Sequence, residues 1–302
     1  MTSDESETTK QLDASISTRH PVTPSPRHSL PIGVFDSGVG GLTVLQALRQ
    51  RLPRERFIYL GDTARLPYGT KSAESVVRYS AQAASFLVGC GIKYLVVACN
   101  TASSVALNEL REQFEPLPVV GVIEPGAQAA CESSRSGHIA VIATEGTIRG
   151  GAYQKAIAAR LPNAVLATRA CSLFVALAEE GWTQGEIVEA TARRYLNDPI
   201  TEDPQIDTLL LGCTHFPVLR ATLQRVVGER ISIVDSAHTT ADFLAADLTG
   251  RELHASPAQS GSVRFLATDS GERFARVGSL FLGESVAAEE VELVDLGVNA
   301  RA

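Results

Sequence analysis

Residues 94–103 read YLVVACNTAS and residues 208–217 read TLLLGCTHFP. Each is a short strand-like apolar run that ends on a cysteine followed by small polar groups. Working outward from residue 94, runs of the same kind alternate with amphipathic stretches. IGVF precedes LTVLQALRQRL, RFIYLGD precedes SAESVVRYSAQAASFLVGCG, KYLVVAC precedes SSVALNELREQF, and PVVGVI precedes PGAQAACE. The second half continues with HIAVIAT, AVLATRAC, DTLLLGC and ISIVDSA, each leading into a helix-like segment. Strand-helix alternation predicts an α/β fold of mainly parallel sheets flanked by helices. The two halves also echo each other. IGVFDSGVGGLTVLQALRQRLP and IAVIATEGTIRGGAYQKAIAARLP both run strand, polar turn, Gly-Gly, helix, Leu-Pro. This internal repeat predicts two similar domains whose strand carboxyl ends face one cleft, the place where open parallel sheets put their ligands.

The whole chain of 302 residues suits two such domains, and its 44% apolar and 20% charged residues are those of a globular protein. A formal net charge of −7 disfavours a nucleic-acid partner, because phosphate binding needs a basic face. No apolar run reaches the ~18 residues of a membrane span, and no signal peptide is evident, so the expected address is cytoplasmic and no membrane partner is expected. Residues 1–30, rich in Ser, Thr, charges and proline, read as a disordered extension. Five dispersed cysteines in a chain of this size read as reduced thiols.

Cys99 and Cys213 each close an apolar run and precede residues able to start a helix, whose free N–H groups favour a thiolate or a bound carboxylate. Cys90, Cys131 and Cys171 lack such surroundings and read as small buried hydrophobes. FDSGVGGL has the look of a phosphate loop, but Thr43 replaces the third glycine of a dinucleotide fingerprint. Asp36 and Ser37 offer instead an anion and a hydroxyl to an ammonium group or a thiol. The turn after Asp62, in GDTARLPYGTKS, has backbone N–H groups that suit a carboxylate. His215 stands two residues from Cys213, close enough to relay a proton, and Glu179 and Glu180 follow an apolar helix-like run. Cys-x-His supplies too few ligands for structural zinc, so no metal is expected. Lys71, Lys93 and Lys155 are the lysines of the expected folded body, and neither Lys71 nor Lys93 has an evident partner that would suit a Schiff-base cofactor.

Taken together and in order, GVFDSGVGGL, GDTARLPYG, ACNTAS, VIEPGA, GTIRGGAYQ and LGCTHFPVL resemble the aspartate/glutamate racemase superfamily, in its glutamate racemase branch, from about residue 31 to about 296. The resemblance implies a cofactor-independent isomerase that supplies D-glutamate for peptidoglycan, with Cys99 and Cys213 as the two acid/base groups. Asp36 is implied as the helper of Cys99, and His215 with Glu180 as helpers of Cys213. Implied substrate contacts are Asp36, Ser37, Tyr68, Gly69, Asn100, Thr101, Thr214 and His215. Implied domains are residues 31–124 with 238–302, and residues 125–237, and a homodimer is plausible. CSLF stands where the family commonly has Cys-Pro-Leu, and the tail lies outside the shared core. The chemistry explains the paired thiols. Inverting a carbon requires removing a proton from one face and supplying one to the other, so one group begins as thiolate and its opposite as thiol. Within the superfamily, both thiols disfavour the single-cysteine decarboxylase, and the full motif set disfavours aspartate and hydantoin racemases. An amino-acid-binding protein without chemistry and a nucleotide-dependent oxidoreductase are the rivals from other classes.

Overall fold

The computed structural model describes residues 26–297. Among these residues, ten strands fall into two sheets. The first contains β1 (Ile32–Asp36), β2 (Arg56–Gly61), β3 (Tyr94–Val97) and β4 (Val119–Gly121). The second contains β5 (His138–Ala143), β6 (Val165–Ala170), β7 (Thr208–Gly212) and β8 (Ser232–Asp235). The chain then returns to the first sheet with β9 (Ser262–Ala267) and β10 (Val291–Leu293), giving the orders β10-β9-β2-β1-β3-β4 and β6-β5-β7-β8. Every pairing among the described strands is parallel. The expected class of fold, two mainly parallel sheets flanked by helices, is the one observed.

Continuous apolar runs are explained by burial on both faces. In β1, Ile32 and Val34 enter one core while Phe35 enters the core on the opposite face. In β7, Leu209 and Leu211 face one core and Leu210 the other. Alternation by side-chain direction thus needs no polar residue in a central strand. Each fully buried Leu, Val or Phe contributes about 1.5–3 kcal/mol of transfer free energy.

The halves share their topology, because β2-β1-β3-β4 and β6-β5-β7-β8 have the same strand order. They diverge at the Gly-Gly pair. After β1 the glycines lead directly into the helix Leu42–Arg51. After β5 a short helix, Glu145–Gly150, comes first, and Gly151, left-handed at φ 67°, separates it from the helix Ala152–Arg160.

Residues 1–25 of the expected disordered extension lie outside the described residues. Its last part departs from that expectation: Pro26–Ser29 form a 3-10 turn. The His28 carbonyl accepts from Lys93 Nζ at 3.1 Å, and His28 Nδ1 lies 2.8 Å from the His254 carbonyl. Lys93 is buried just before β3 and also bonds Glu55 Oε2 at 2.6 Å and the Leu253 carbonyl at 2.8 Å. Burial weakens its proton affinity, against the pull of Glu55. Among the described residues, no helix is long and apolar enough to cross a membrane.

Candidate active site

The carboxyl ends of the central strands of both sheets meet. β1 ends on Asp36, β3 leads through Ala98 to Cys99, β5 leads to Thr144, and β7 leads to Cys213. All four side chains are buried. Cys99 caps the helix Asn100–Val105, its sulfur accepting from the Ala102 N–H at 3.5 Å and lying 3.5 Å from Ser37 Oγ. Burial and the nearby Asp36 charge push the Cys99 thiol up to about 12, and negative charge on Cys213 adds to the rise.

Asp36 is fully buried; its Oδ2 accepts from the Gly38 N–H at 2.9 Å, and its Oδ1 has no protein partner. Burial raises its pKa, while the His215 charge and the N–H groups of Gly38, Gly41 and Ser37 oppose the rise. His215 Nδ1 lies 3.9 Å from Cys213 Sγ, and its Nε2 lies 3.0 Å from Glu179 Oε1. Burial alone would lower the pKa of His215, but bonds to Cys213 and Glu179 and their charges lift it to about 10. At neutral pH the imidazole is thus a cation held between a sulfur and a carboxylate, stabilising negative charge on either.

On the Cys213 side the resemblance implies Glu180 together with His215, whereas the carboxylate that meets His215 in the structure is that of Glu179. Glu179 ends the helix Leu173–Glu179 and meets His215, whereas Glu180, at the cap, is exposed. Successive helical residues differ by about 100°, so only one of the two adjacent carboxylates can point at the cleft. Burial disfavours the ionised form of Glu179, but His215 and Arg273 outweigh it and hold the carboxyl below its usual range.

Other groups join the two halves. With its amide turned to satisfy its neighbours, Asn100 donates to the Gly212 carbonyl at 3.3 Å and accepts from the Thr214 N–H at 3.2 Å, beside the Tyr153 hydroxyl at 2.7 Å. That one side chain ties the first turn of the helix after Cys99 to both neighbours of Cys213. Thr43 Oγ1 donates to the Thr214 carbonyl at 3.1 Å. Gly40 leaves the space that His215 fills: a Cβ there would lie 2.4 Å from Nδ1 and 2.6 Å from Thr214 Oγ1. Gly69 likewise passes against Thr144, where a Cβ would lie 2.7 Å from the threonine Cβ. Tyr68 is buried, but its hydroxyl donates to Asp62 Oδ2 at 2.6 Å, leaving only its backbone to meet a ligand.

Two cleft residues were not anticipated. Thr101, Thr144 and Thr147 form a triangle of hydroxyls with edges of 3.0, 3.2 and 3.0 Å. The available signal was Thr144-Glu145-Gly146-Thr147, whose first threonine caps the helix Glu145–Gly150. Among the described residues, no group of three or more His, Cys, Asp or Glu side chains is gathered as a metal site would require. Lys93, a residue weighed for a Schiff base, lies at the amino end of β3, away from this cleft.

Two thiols, each with its own buried charged neighbour and set at matching strand ends of a duplicated parallel sheet, are the equipment of a two-base isomerase. The family described as Asp/Glu/Hydantoin racemase matches residues 32–244, and the chain belongs to it. Within that family it is 53% identical to the glutamate racemase of Geobacter metallireducens over 252 residues, 83% of this chain and 92% of that one. It also resembles the crystal structure of the Francisella tularensis glutamate racemase in complex with D-glutamate, with a TM-score of 0.82, 36% identity, and coverage of 89% of this chain and 98% of that one. A glutamate racemase isoform from Bacillus anthracis matches with a TM-score of 0.83 at 37% identity, over 88% and 98% of the two chains. The superfamily read from the six motifs is the family observed.

Proposed function

We propose that this protein is a glutamate racemase that interconverts L- and D-glutamate by a cofactor-independent two-base mechanism, with Cys99 and Cys213 on opposite faces of the α-carbon. The observation that carries the reading is the pair of buried thiols just past the ends of β3 and β7, each with its own polar neighbours. One thiolate removes the α-proton and the opposite thiol delivers one, so each turnover exchanges the protonation states of the pair. Asp36 serves the Cys99 side, its free Oδ1 available to the substrate ammonium or the thiol. His215, held by Glu179, serves the Cys213 side.

The same reading assigns substrate contacts to Ser37, the backbone of Tyr68 and Gly69, Asn100, Thr101, Thr214 and His215. The hydroxyls of Thr144 and Thr147 extend that set, joining Thr101 as donors for a carboxylate. No electron sink is needed if the cleft excludes water and directs fixed donors at the developing carbanion and its carboxylate. Two domains, residues 31–124 with 238–302 and residues 125–237, are part of this reading. D-glutamate production for peptidoglycan, a cytoplasmic location and a homodimer belong to this reading.

The test is incubation of the purified chain with L-glutamate in deuterated buffer containing a chelator and no cofactor. Loss of optical rotation together with α-deuterium in the product is expected, and Cys99→Ser or Cys213→Ser abolishes the loss of rotation. Folded protein that binds glutamate yet leaves both rotation and the α-proton unchanged would be a binding protein, and the reading would fail.

A further inference from the structure

The group behind Glu179 comes from the other sheet. Arg273 lies in the helix Gly271–Leu282, the crossover between β9 and β10, so it belongs to the six-stranded side of the cleft. Its guanidinium donates to Glu179 Oε2 at 2.7 Å, while the other oxygen of the same carboxylate meets His215 Nε2 at 3.0 Å. The same helix supplies Phe281, whose ring packs edge-on against His215 with centroids 5.1 Å apart. A continuous line therefore runs from Arg273 through Glu179 and His215 to Cys213, and it crosses the cleft at its first step.

We propose that Arg273 is a positioning residue for the Cys213 half of the reaction: from the opposite sheet it fixes the carboxylate that holds His215 against the sulfur. This rests on the racemase reading and adds a part to it.

The two ends of the contact differ in setting. The Glu179 side chain is 11% exposed and that of Arg273 is 47% exposed. An ion pair with one half-exposed partner contributes little to folding stability, because water and salt screen it. Its effect falls instead on geometry. A glutamate carboxylate is free to rotate about its last bond, and with only His215 as partner either oxygen could face Nε2 or both could turn aside. Arg273 occupies one oxygen and so directs the other. The imidazole has two ends, and fixing Nε2 also fixes the direction of Nδ1, which faces Cys213. The groups that face His215 with ionisable side chains are Cys213, Glu179 and Asp36, with Arg273 behind Glu179. Because Arg273 and Glu179 follow different sheets, their bond forms only when the two sides are together.

The test uses the full chain and variants at position 273, with kcat and KM measured from both enantiomers of glutamate and thermal midpoints measured alongside. Arg273→Gln is expected to lower kcat on the order of tenfold, since misplacement of a reacting group by a fraction of an ångström has effects of that size. KM stays within about twofold, because Arg273 touches no substrate. The contact is a single N–H to oxygen bond, so Arg273→Lys recovers most of the rate. In a Glu179→Gln background, Arg273→Gln costs nothing further, because the carboxylate through which it acts is gone. A Gln variant within twofold of the unchanged kcat, a Lys variant as slow as the Gln variant, or a loss that multiplies in full with Glu179→Gln overturns the proposal. An unchanged chain that does not turn over glutamate fails at the first measurement, and strikes the racemase reading itself.

Discussion

Replacing Glu179 by Gln keeps the shape of the side chain and removes its charge, while the same change at Glu180 removes an equal charge one residue away. The structure gives these changes different consequences. Glu179 accepts from His215 at 3.0 Å and from Arg273 at 2.7 Å in a largely buried setting, whereas Glu180 is exposed. A hydrogen bond to a charged group is worth about 1.5–3 kcal/mol, so a loss realised in the transition state lowers kcat by roughly 10- to 100-fold. Glu180→Gln is expected to leave kcat within about twofold. The charge has a second signature. Glu179 is one of two groups that raise the pKa of His215 to about 10 against burial, so its removal brings that pKa down. A folded-state pKa above the unfolded value of about 6.5 contributes stability that is fully present below 6.5 and is lost as pH rises through 10. The thermal deficit of Glu179→Gln should therefore be largest near pH 6 and shrink towards pH 10. The assay is polarimetry in both directions, with thermal melts across that range. Because the enantiomers have equal free energies, kcat/KM must fall equally from either side. The α-deuterium isotope effect is free to differ, and should rise only for the enantiomer whose proton Cys213 removes. Equal impairment by the two substitutions, or a deficit that grows with pH, would refute the assignment.

Gly40→Ala should lower kcat on the order of 100-fold, because a Cβ 2.4 Å from His215 Nδ1 forces a shift of about 1 Å, while Gly89→Ala, with nothing near its Cβ, leaves activity unchanged in the same assay. Thr144→Val keeps the volume but removes a hydroxyl from the threonine triangle; an increase in KM for glutamate on the order of tenfold is expected in initial-rate measurements. Lys93→Met leaves Glu55 buried without its partner at 2.6 Å, and denaturant unfolding should show a loss of about 3–5 kcal/mol with kcat retained below the transition.

The sequence made the strands legible where burial on both faces left no room for polar residues, as in β1, β3 and β7. It was silent where strands bury few residues: β9, between β10 and β2, starts with three exposed or half-exposed residues, and the edge strand β10 has only one buried position, so neither carries a long apolar run. These strands frame the helix that carries Arg273, and that contact was hidden for the same reason. The thiols were legible because each ends a run within its own half, and no knowledge of the other half is needed to notice them.

What could not be read is what forms only when the halves meet. Glu179 and Glu180 are neighbours in one local pattern, and nothing in residues 173–182 ranks them; the choice is made by His215, 36 residues further on. The Gly40 requirement is similar. Its glycine resembles part of a phosphate loop until Thr214 and His215 arrive from the other sheet and occupy the space where a side chain would stand. Duplication supplied two similar strand ends. The catalytic difference between them arises afterwards, from unlike neighbours: a buried carboxylate beside Cys99, and an imidazolium backed by a carboxylate beside Cys213. In a two-base racemase each turnover exchanges the protonation states of the two sulfurs, so each set of neighbours has to tolerate both the thiol and the thiolate beside it.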